Sequence, residues 1–160
     1  REAQGYAYDG ADASFELLIL DEREHGRARP FTVESWRTIV EQRIDGEVVS
    51  EATVKVMVGD RRTVAVGEGN GPVNALDNAL RAALTEMYPE LSEVQLVDYK
   101  VRILDAAHGT DAVTRVLIET SDGSTTWSTI GVAANILEAS WDALVESVTY
   151  GLIRAGVEPR

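Results

Sequence analysis

With 160 residues, 44% of them hydrophobic and 26% charged, the chain has the size of one domain and enough apolar material for a core. Its net charge of -12 opposes phosphate backbones and anionic membrane surfaces, so neither nucleic acid nor a membrane is expected as a partner. The absence of cysteine excludes disulfides and thiolate metal sites, and no apolar run approaches a membrane span, which together point to the cytoplasm. The chain opens on Arg1 and runs directly into Glu-Ala-Gln-Gly-Tyr, which reads as a segment of something longer.

In chain order, Gly10 to Glu22 carries Phe15, Leu18, Ile19 and Glu22 at helical spacing, predicting a short helix with that apolar face. Charges, Gly26 and Pro30 then break the pattern, so residues 1–30 read as a linker arm with one helix. Ser35 to Ile44 and Ala52 to Val58 alternate as two antiparallel strands around an Asp45-Gly46 turn signal. Arg62 to Val66 follows as a third strand after Gly59-Asp60. Pro72 suits a first helical residue with Gly71 as N-cap, and the helix presents Val73, Leu76, Leu80, Ala83, Leu84 and Met87 on one face before ending near Tyr88-Pro89.

The same order returns. Val94 to Leu104, Ala112 to Thr120 and Thr126 to Ala133 read as strands, with Asp122-Gly123 as a turn. A helix begins at Asn135, which with Glu138 has capping-box spacing; its stripe is Leu137, Trp141, Leu144, Val148 and Leu152, and Gly156 stops it. The Gly67 to Leu76 segment, Gly-Glu-Gly-Asn-Gly-Pro-Val-Asn-Ala-Leu, recurs in weaker form as Gly-Val-Ala-Ala-Asn-Ile-Leu-Glu-Ala-Ser at 131–140. In isolation the Gly69-Asn70-Gly71 turn is a helix entry demanding positive φ; its recurrence turns attention to the helix N-termini as anion sites.

The expected class is therefore α+β: two tandem βββα units, repeat one at 31–89 and repeat two at 93–156, each a small antiparallel sheet with one helix, preceded by the helical arm. Such small sheets leave apolar surface uncovered, so the helices are expected to meet those of a second copy in a homodimer. In the fourth strand the apolar phase slips near Leu96 to Val97, as a β-bulge would produce, turning Leu96, Tyr99 and Ile103 to one face. Read blandly, these are core residues and Asp98 sits on an edge.

The strings Gly-Asn-Gly-Pro-Val-Asn-Ala-Leu-Asp-Asn-Ala-Leu-Arg (69–81), Leu-Val-Asp-Tyr-Lys-Val-Arg-Ile-Leu (96–104), Gly-Thr-Asp-Ala-Val-Thr-Arg-Val (109–116) and Asn-Ile-Leu-Glu-Ala-Ser-Trp-Asp-Ala-Leu (135–144) resemble the C-terminal regulatory domain of the 2-isopropylmalate synthase and citramalate synthase family. The Asp-Tyr-Lys-Val-Arg-Ile-Leu and Glu-Ala-Ser-Trp strings are closer to the citramalate branch. The resemblance makes 31–160 a regulatory domain. It implies a parent enzyme that condenses acetyl-CoA with a 2-oxo acid on a metal-dependent (β/α)₈ barrel preceding Arg1, and an end-product amino acid as feedback inhibitor: isoleucine for the citramalate branch, leucine for the other.

No catalytic residues and no cofactor are expected in this segment; a divalent metal is implied only for the barrel. His25 and His108 are the only histidines and read as loop residues, and the tryptophans as core. For a zwitterionic apolar ligand, the carboxylate would sit at the N–H groups after Gly71 or Asn135, and the ammonium on Asn74, Asp98 or a strand carbonyl. By resemblance the side-chain pocket is lined by Val73, Leu96, Tyr99, Ile103, Val113 and Thr114, near the dimer interface. A stand-alone amino-acid sensor and a purely structural dimerisation module are the alternatives, with an independent hydrolase or transferase last.

Overall fold

The structure, a computed structural model, describes residues 6–23, 29–104 and 113–157. The elements run α1 (Asp12–Arg23), β1 (Thr32–Gln42), β2 (Val48–Val58), β3 (Arg61–Gly69), α2 (Pro72–Leu84), a 3-10 turn at Pro89–Glu93, β4 (Gln95–Leu104), β5 (Val113–Ser121), β6 (Thr126–Ala133) and α3 (Ile136–Arg154). Two three-stranded antiparallel sheets result, ordered β1-β2-β3 and β4-β5-β6. The expected α+β architecture of two βββα units is present. The chain divides into two compact units, 29–92 with the C-terminal residues from Ala155, and 93–154 with the arm.

In the 29–92 unit, β2 alternates strictly, burying Ser50, Ala52, Val54, Val56 and Val58. Against them α2 buries Ala75, Leu76, Ala79, Leu80, Ala83 and Leu84, each large aliphatic side chain contributing about 1.5–3 kcal/mol by leaving water. Two turns close this sheet at glycines with positive φ, Gly46 (+89°) and Gly59 (+57°), as the Asp45-Gly46 and Gly59-Asp60 signals predict. The Tyr88 hydroxyl donates to the Pro30 carbonyl oxygen at 2.6 Å, pinning the chain that leaves α2 to the start of β1.

The 93–154 unit repeats the design. β5 buries Thr114, Val116, Ile118 and Thr120, and α3 packs on them with Ala139, Ala143, Leu144, Val148 and Leu152. Trp127 lies beneath, its indole N–H donating to the Ser147 carbonyl at 3.2 Å. β4 breaks register between Leu96 and Asp98, the bulge expected from the slip in apolar phase. β1 carries the same irregularity between Val33 and Ser35, and sequence reasoning missed it. The paired bulges make Trp36 the counterpart of Tyr99 and Val40 the counterpart of Ile103, since Trp36 pairs with Val54 as Tyr99 pairs with Ile118.

The arm differs from its sequence reading in which face it uses. α1 exists, but Phe15 is 48% exposed and stacks obliquely on Tyr8, while Ala11, Ala13, Ser14 and Leu17 are buried. The reason is polar. The Ser128 N–H donates to Asp12 Oδ1 at 2.9 Å and the Ile130 N–H to Ser14 Oγ at 2.8 Å, so α1 satisfies outward N–H groups of the edge strand β6. Ser14 also bonds Glu146, and Tyr150 donates to Glu16 at 2.6 Å, fixing α1 to α3.

Each long helix packs on its own sheet, α2 on β2 and β3 and α3 on β5 and β6. The outer face of α2 exposes Asn74, Asn78 and Ala82, and α3 is covered by both its sheet and α1. Exposed apolar side chains lie on both sheets, Ile39, Val40, Val48, Val64 and Val66 in the first and Val97, Val101 and Ile103 in the second, and also at Phe15 of α1, Ile44 of the first hairpin and Ile136 at the start of α3.

Candidate functional site

The two Gly-rich helix entries hold the first part of the expected site. Gly67 and Gly131 are not there for φ. A Cβ on Gly67 would collide with Ala79, and one on Gly131 with Ala139 and Ala143, so each glycine lets its strand approach its helix backbone. The positive φ expected in the Gly69-Asn70-Gly71 turn is not found at Gly69 or Gly71: among the described residues the positive-φ glycines are Gly10, Gly46, Gly59, Gly123 and Gly156. Gly71 is extended at φ -160°, and Gly69 is excluded from a side chain by Asn74 and Ala75.

The helix ends themselves differ. Asn135 Oδ1 accepts from the Leu137 N–H at 2.7 Å and from the Glu138 N–H at 3.4 Å, so α3 is capped by its own side chain. At α2, Gly71 supplies no side-chain cap and Pro72 occupies the first helical position. Its first turn therefore presents the N–H groups of Val73 and Asn74 without a capping side chain, in the positive lobe of the helix dipole. Val73 is half-buried there; Asn74 is exposed, accepting from Asn78 Nδ2 at 3.5 Å, which also donates to the Glu68 carbonyl at 2.7 Å.

The remaining expected residues lie in the 93–154 unit. Leu96 pairs with Thr120, Tyr99 with Ile118 and Ile103 with Thr114, and pairs facing the buried side of β5 share the α3 side of the sheet. Leu96, Tyr99, Ile103 and Thr114 are thus brought to one face. Val113 pairs with Leu104 one step along and points to the other. Ile103 is 62% exposed while Thr114 is buried, so the strip is open along the outer edge of β4. The Tyr99 hydroxyl is engaged: Ser140 Oγ donates to the Ile136 carbonyl at 2.7 Å and accepts from Tyr99 at 2.8 Å. Asp98 faces the opposite side, bonded to its neighbour's N–H at 2.9 Å and lying 3.4 Å from Lys100 Nζ.

Among the described residues, no group of three His, Asp or Glu side chains is placed to hold a metal ion. His25 and His108 lie outside the described residues. No described helix is long and apolar enough to cross a membrane. What sequence reasoning missed is the polar seam of Asp12, Ser14 and Glu16, whose only signal was small and polar residues breaking the apolar pattern of α1.

The chain is a duplicated βββα fold, with a helix entry lacking a side-chain cap in one copy and an open apolar strip in the other. Residues 9–152 match the LeuA allosteric (dimerisation) domain, and the chain belongs to that family. It is 58% identical over 99% of its length to an (R)-citramalate synthase of Streptomyces coelicolor, and 52% identical over 94% to an (R)-citramalate synthase of Geobacter sulfurreducens. A 2-isopropylmalate synthase of Erwinia tasmaniensis is 29% identical over 92% of the chain. The chain spans 30%, 29% and 25% of these proteins respectively.

Proposed function

We propose that this chain is the feedback-regulatory and dimerisation part of an (R)-citramalate synthase, binding isoleucine to inhibit condensation of acetyl-CoA with pyruvate on a preceding barrel. The observation that carries the reading is the family match over residues 9–152, together with 58% identity to a citramalate synthase against 29% to a 2-isopropylmalate synthase. The uncapped start of α2 supports a carboxylate subsite, because free N–H groups and the helix dipole both favour an anion. Within the 93–154 unit, the open strip of Leu96, Tyr99 and Ile103 is an apolar surface of its own that suits aliphatic contact. Exposed apolar side chains on both sheets support pairing with a second copy.

The parent protein's cytoplasmic enzyme activity follows from the same reading. Regulation would work through linkage: an effector that binds one arrangement of the subunits more tightly shifts the population toward it.

The test is thermal unfolding with branched-chain amino acids, since a ligand that binds only the folded state raises the midpoint. Isoleucine is expected to raise it more than leucine or valine. Equal or greater stabilisation by leucine moves the chain to the isopropylmalate branch, and no response to any of them leaves a structural dimerisation module. Light scattering at micromolar concentration is expected to give a dimer mass; a monomer overturns that part.

A further inference from the structure

Four asparagines stand in the chain, at 70, 74, 78 and 135, and only Asn70 is followed by glycine. The other three are held by the fold. Asn135 caps α3 through its side-chain oxygen. Asn74 and Asn78 lie within α2, where Asn78 Nδ2 donates to Asn74 Oδ1 at 3.5 Å and to the Glu68 carbonyl oxygen at 2.7 Å. Asn70 is exposed in the turn between β3 and α2, and among the described residues nothing bonds its side chain.

A side-chain amide followed by glycine is open to attack by the next backbone nitrogen, because glycine has no side chain to hinder the approach and little conformational constraint. Two other turns of the fold show what prevents such a reaction. After Asp45 and Asp122 the glycine N–H is engaged, that of Gly46 by the Arg43 carbonyl oxygen at 2.9 Å and that of Gly123 by Ser121 Oγ at 3.0 Å. The carboxylates are engaged too: Asp45 Oδ1 accepts from the Glu47 N–H, and Asp122 Oδ1 from the Ser124 and Thr125 N–H groups. The Gly71 N–H precedes the first turn of α2 and donates to no group among the described residues, and a Cβ on Gly71 would meet open space. Nucleophile and electrophile are both unpinned at this one dipeptide.

We infer that Asn70-Gly71 is a site of spontaneous deamidation that places a negative charge at the start of α2. The Gly71 nitrogen loses its proton to solvent base and bonds to Asn70 Cγ; the Cγ–Nδ2 bond breaks, and the amide nitrogen leaves as ammonia with a proton from water. Water then opens the five-membered imide at either carbonyl, giving aspartate or isoaspartate at position 70. No oxidant is needed. The new carboxylate stands one residue before the Gly71 N-cap, in the positive lobe of the helix dipole and beside first-turn N–H groups that no side chain caps. There it favours the helix end and opposes any second anion, so an aged chain loses response to a carboxylate ligand; that consequence rests on the amino-acid site proposed above.

Mass-spectrometric peptide mapping of the whole folded chain, sampled during incubation in mildly alkaline buffer, tests the chemistry. Acid is expected to accumulate at position 70, with isoaspartate the larger product, while Asn74, Asn78 and Asn135 keep their amides. The rate is expected to rise with pH. Gly71→Ala is expected to slow conversion by about tenfold, through the hindrance of one methyl group to the attacking nitrogen, with an unchanged melting temperature. Asn70→Asp carries the product charge from the start and is expected to fold normally while losing most of the isoleucine-induced rise in midpoint. Position 70 keeping its amide, or converting no faster than Asn74 and Asn78, overturns the site. A full isoleucine response in Asn70→Asp overturns the desensitisation. A fresh chain that ignores isoleucine counts against the effector reading instead, and mapping at position 70 still decides the deamidation.

Discussion

Gly131 and Ala139 meet backbone to backbone. A Cβ on Gly131 would overlap the Ala139 carbonyl oxygen, and the same closeness joins Gly67 to Ala79 in the first unit. These contacts let α2 and α3 lie flat on their sheets, which is why small residues recur on the facing turns of both helices. Gly131→Ala is therefore expected to destabilise the chain by about 1 to 3 kcal/mol through forced separation of strand and helix. Calorimetric unfolding should show a fall of roughly 2–4 °C per kcal/mol for a protein of this size. Gly71→Ala, where added atoms meet open space, is the control and should change little. A neutral Gly131→Ala would mean that the helix is free to move away.

The strands and both long helices were legible in sequence because period and punctuation agreed. Val54, Val56 and Val58 alternate, Asp45-Gly46 and Asp122-Gly123 turn, and Gly71-Pro72 and Asn135 start helices. The bulge in β4 was legible because apolar residues changed phase across it. The matching bulge in β1 was not, since Ser35, Arg37, Thr38 and the exposed Ile39 give no clean phase to break. In α1 the apolar spacing misled, because hydrogen bonds from Asp12 and Ser14 to the β6 edge decide its orientation, and a hydrophobicity pattern does not register them. For the expected site, sequence grouped Leu96, Tyr99 and Ile103 on one face but could not show that Val113 points away or that Tyr99 is bonded to Ser140.

The Tyr150–Glu16 bond gives the docked arm a pH dependence. Burial, and then the bond to Glu16, push the Tyr150 phenol above its usual range, partly countered by Arg154. A raised folded-state value favours the protonated form on folding. That stability is fully present below the unfolded value, about pH 10, and is lost as pH rises through the folded value. Denaturant unfolding between pH 8 and 11 should show wild type losing stability relative to Tyr150→Phe above roughly pH 10. Parallel curves would mean that the phenol is solvated.

Capping the open end of α2 should separate folding from ligand response. Gly71 is extended and has space around it, so Gly71→Asp can place a carboxylate over the Val73 and Asn74 N–H groups. An Asp cap is worth a few tenths of a kcal/mol over Gly, so the unliganded midpoint should hold or rise slightly. The same carboxylate occupies the proposed anion subsite and repels the ligand's own. The isoleucine-induced shift is expected to vanish. A retained shift would place the ligand carboxylate elsewhere.

Filling the proposed side-chain pocket is the complementary probe. Val73 is half-buried in the first turn of α2, one residue past the Pro72 that starts it, and the buried residues of that helix begin only at Ala75. Val73→Trp therefore adds bulk at the helix entry while leaving Gly67 to Pro72 and their close approach to the helix unchanged. Overpacking a true core position costs about 1 to 3 kcal/mol, whereas a side chain facing an open pocket accepts bulk with little penalty. The expected outcome is a near-native melting temperature without ligand and no further rise on adding isoleucine. In the proposed parent synthase the same change should leave condensation activity present and insensitive to the end product. If the variant unfolds, Val73 belongs to the core and the pocket lies elsewhere; if it still responds fully to isoleucine, the start of α2 is not part of the site.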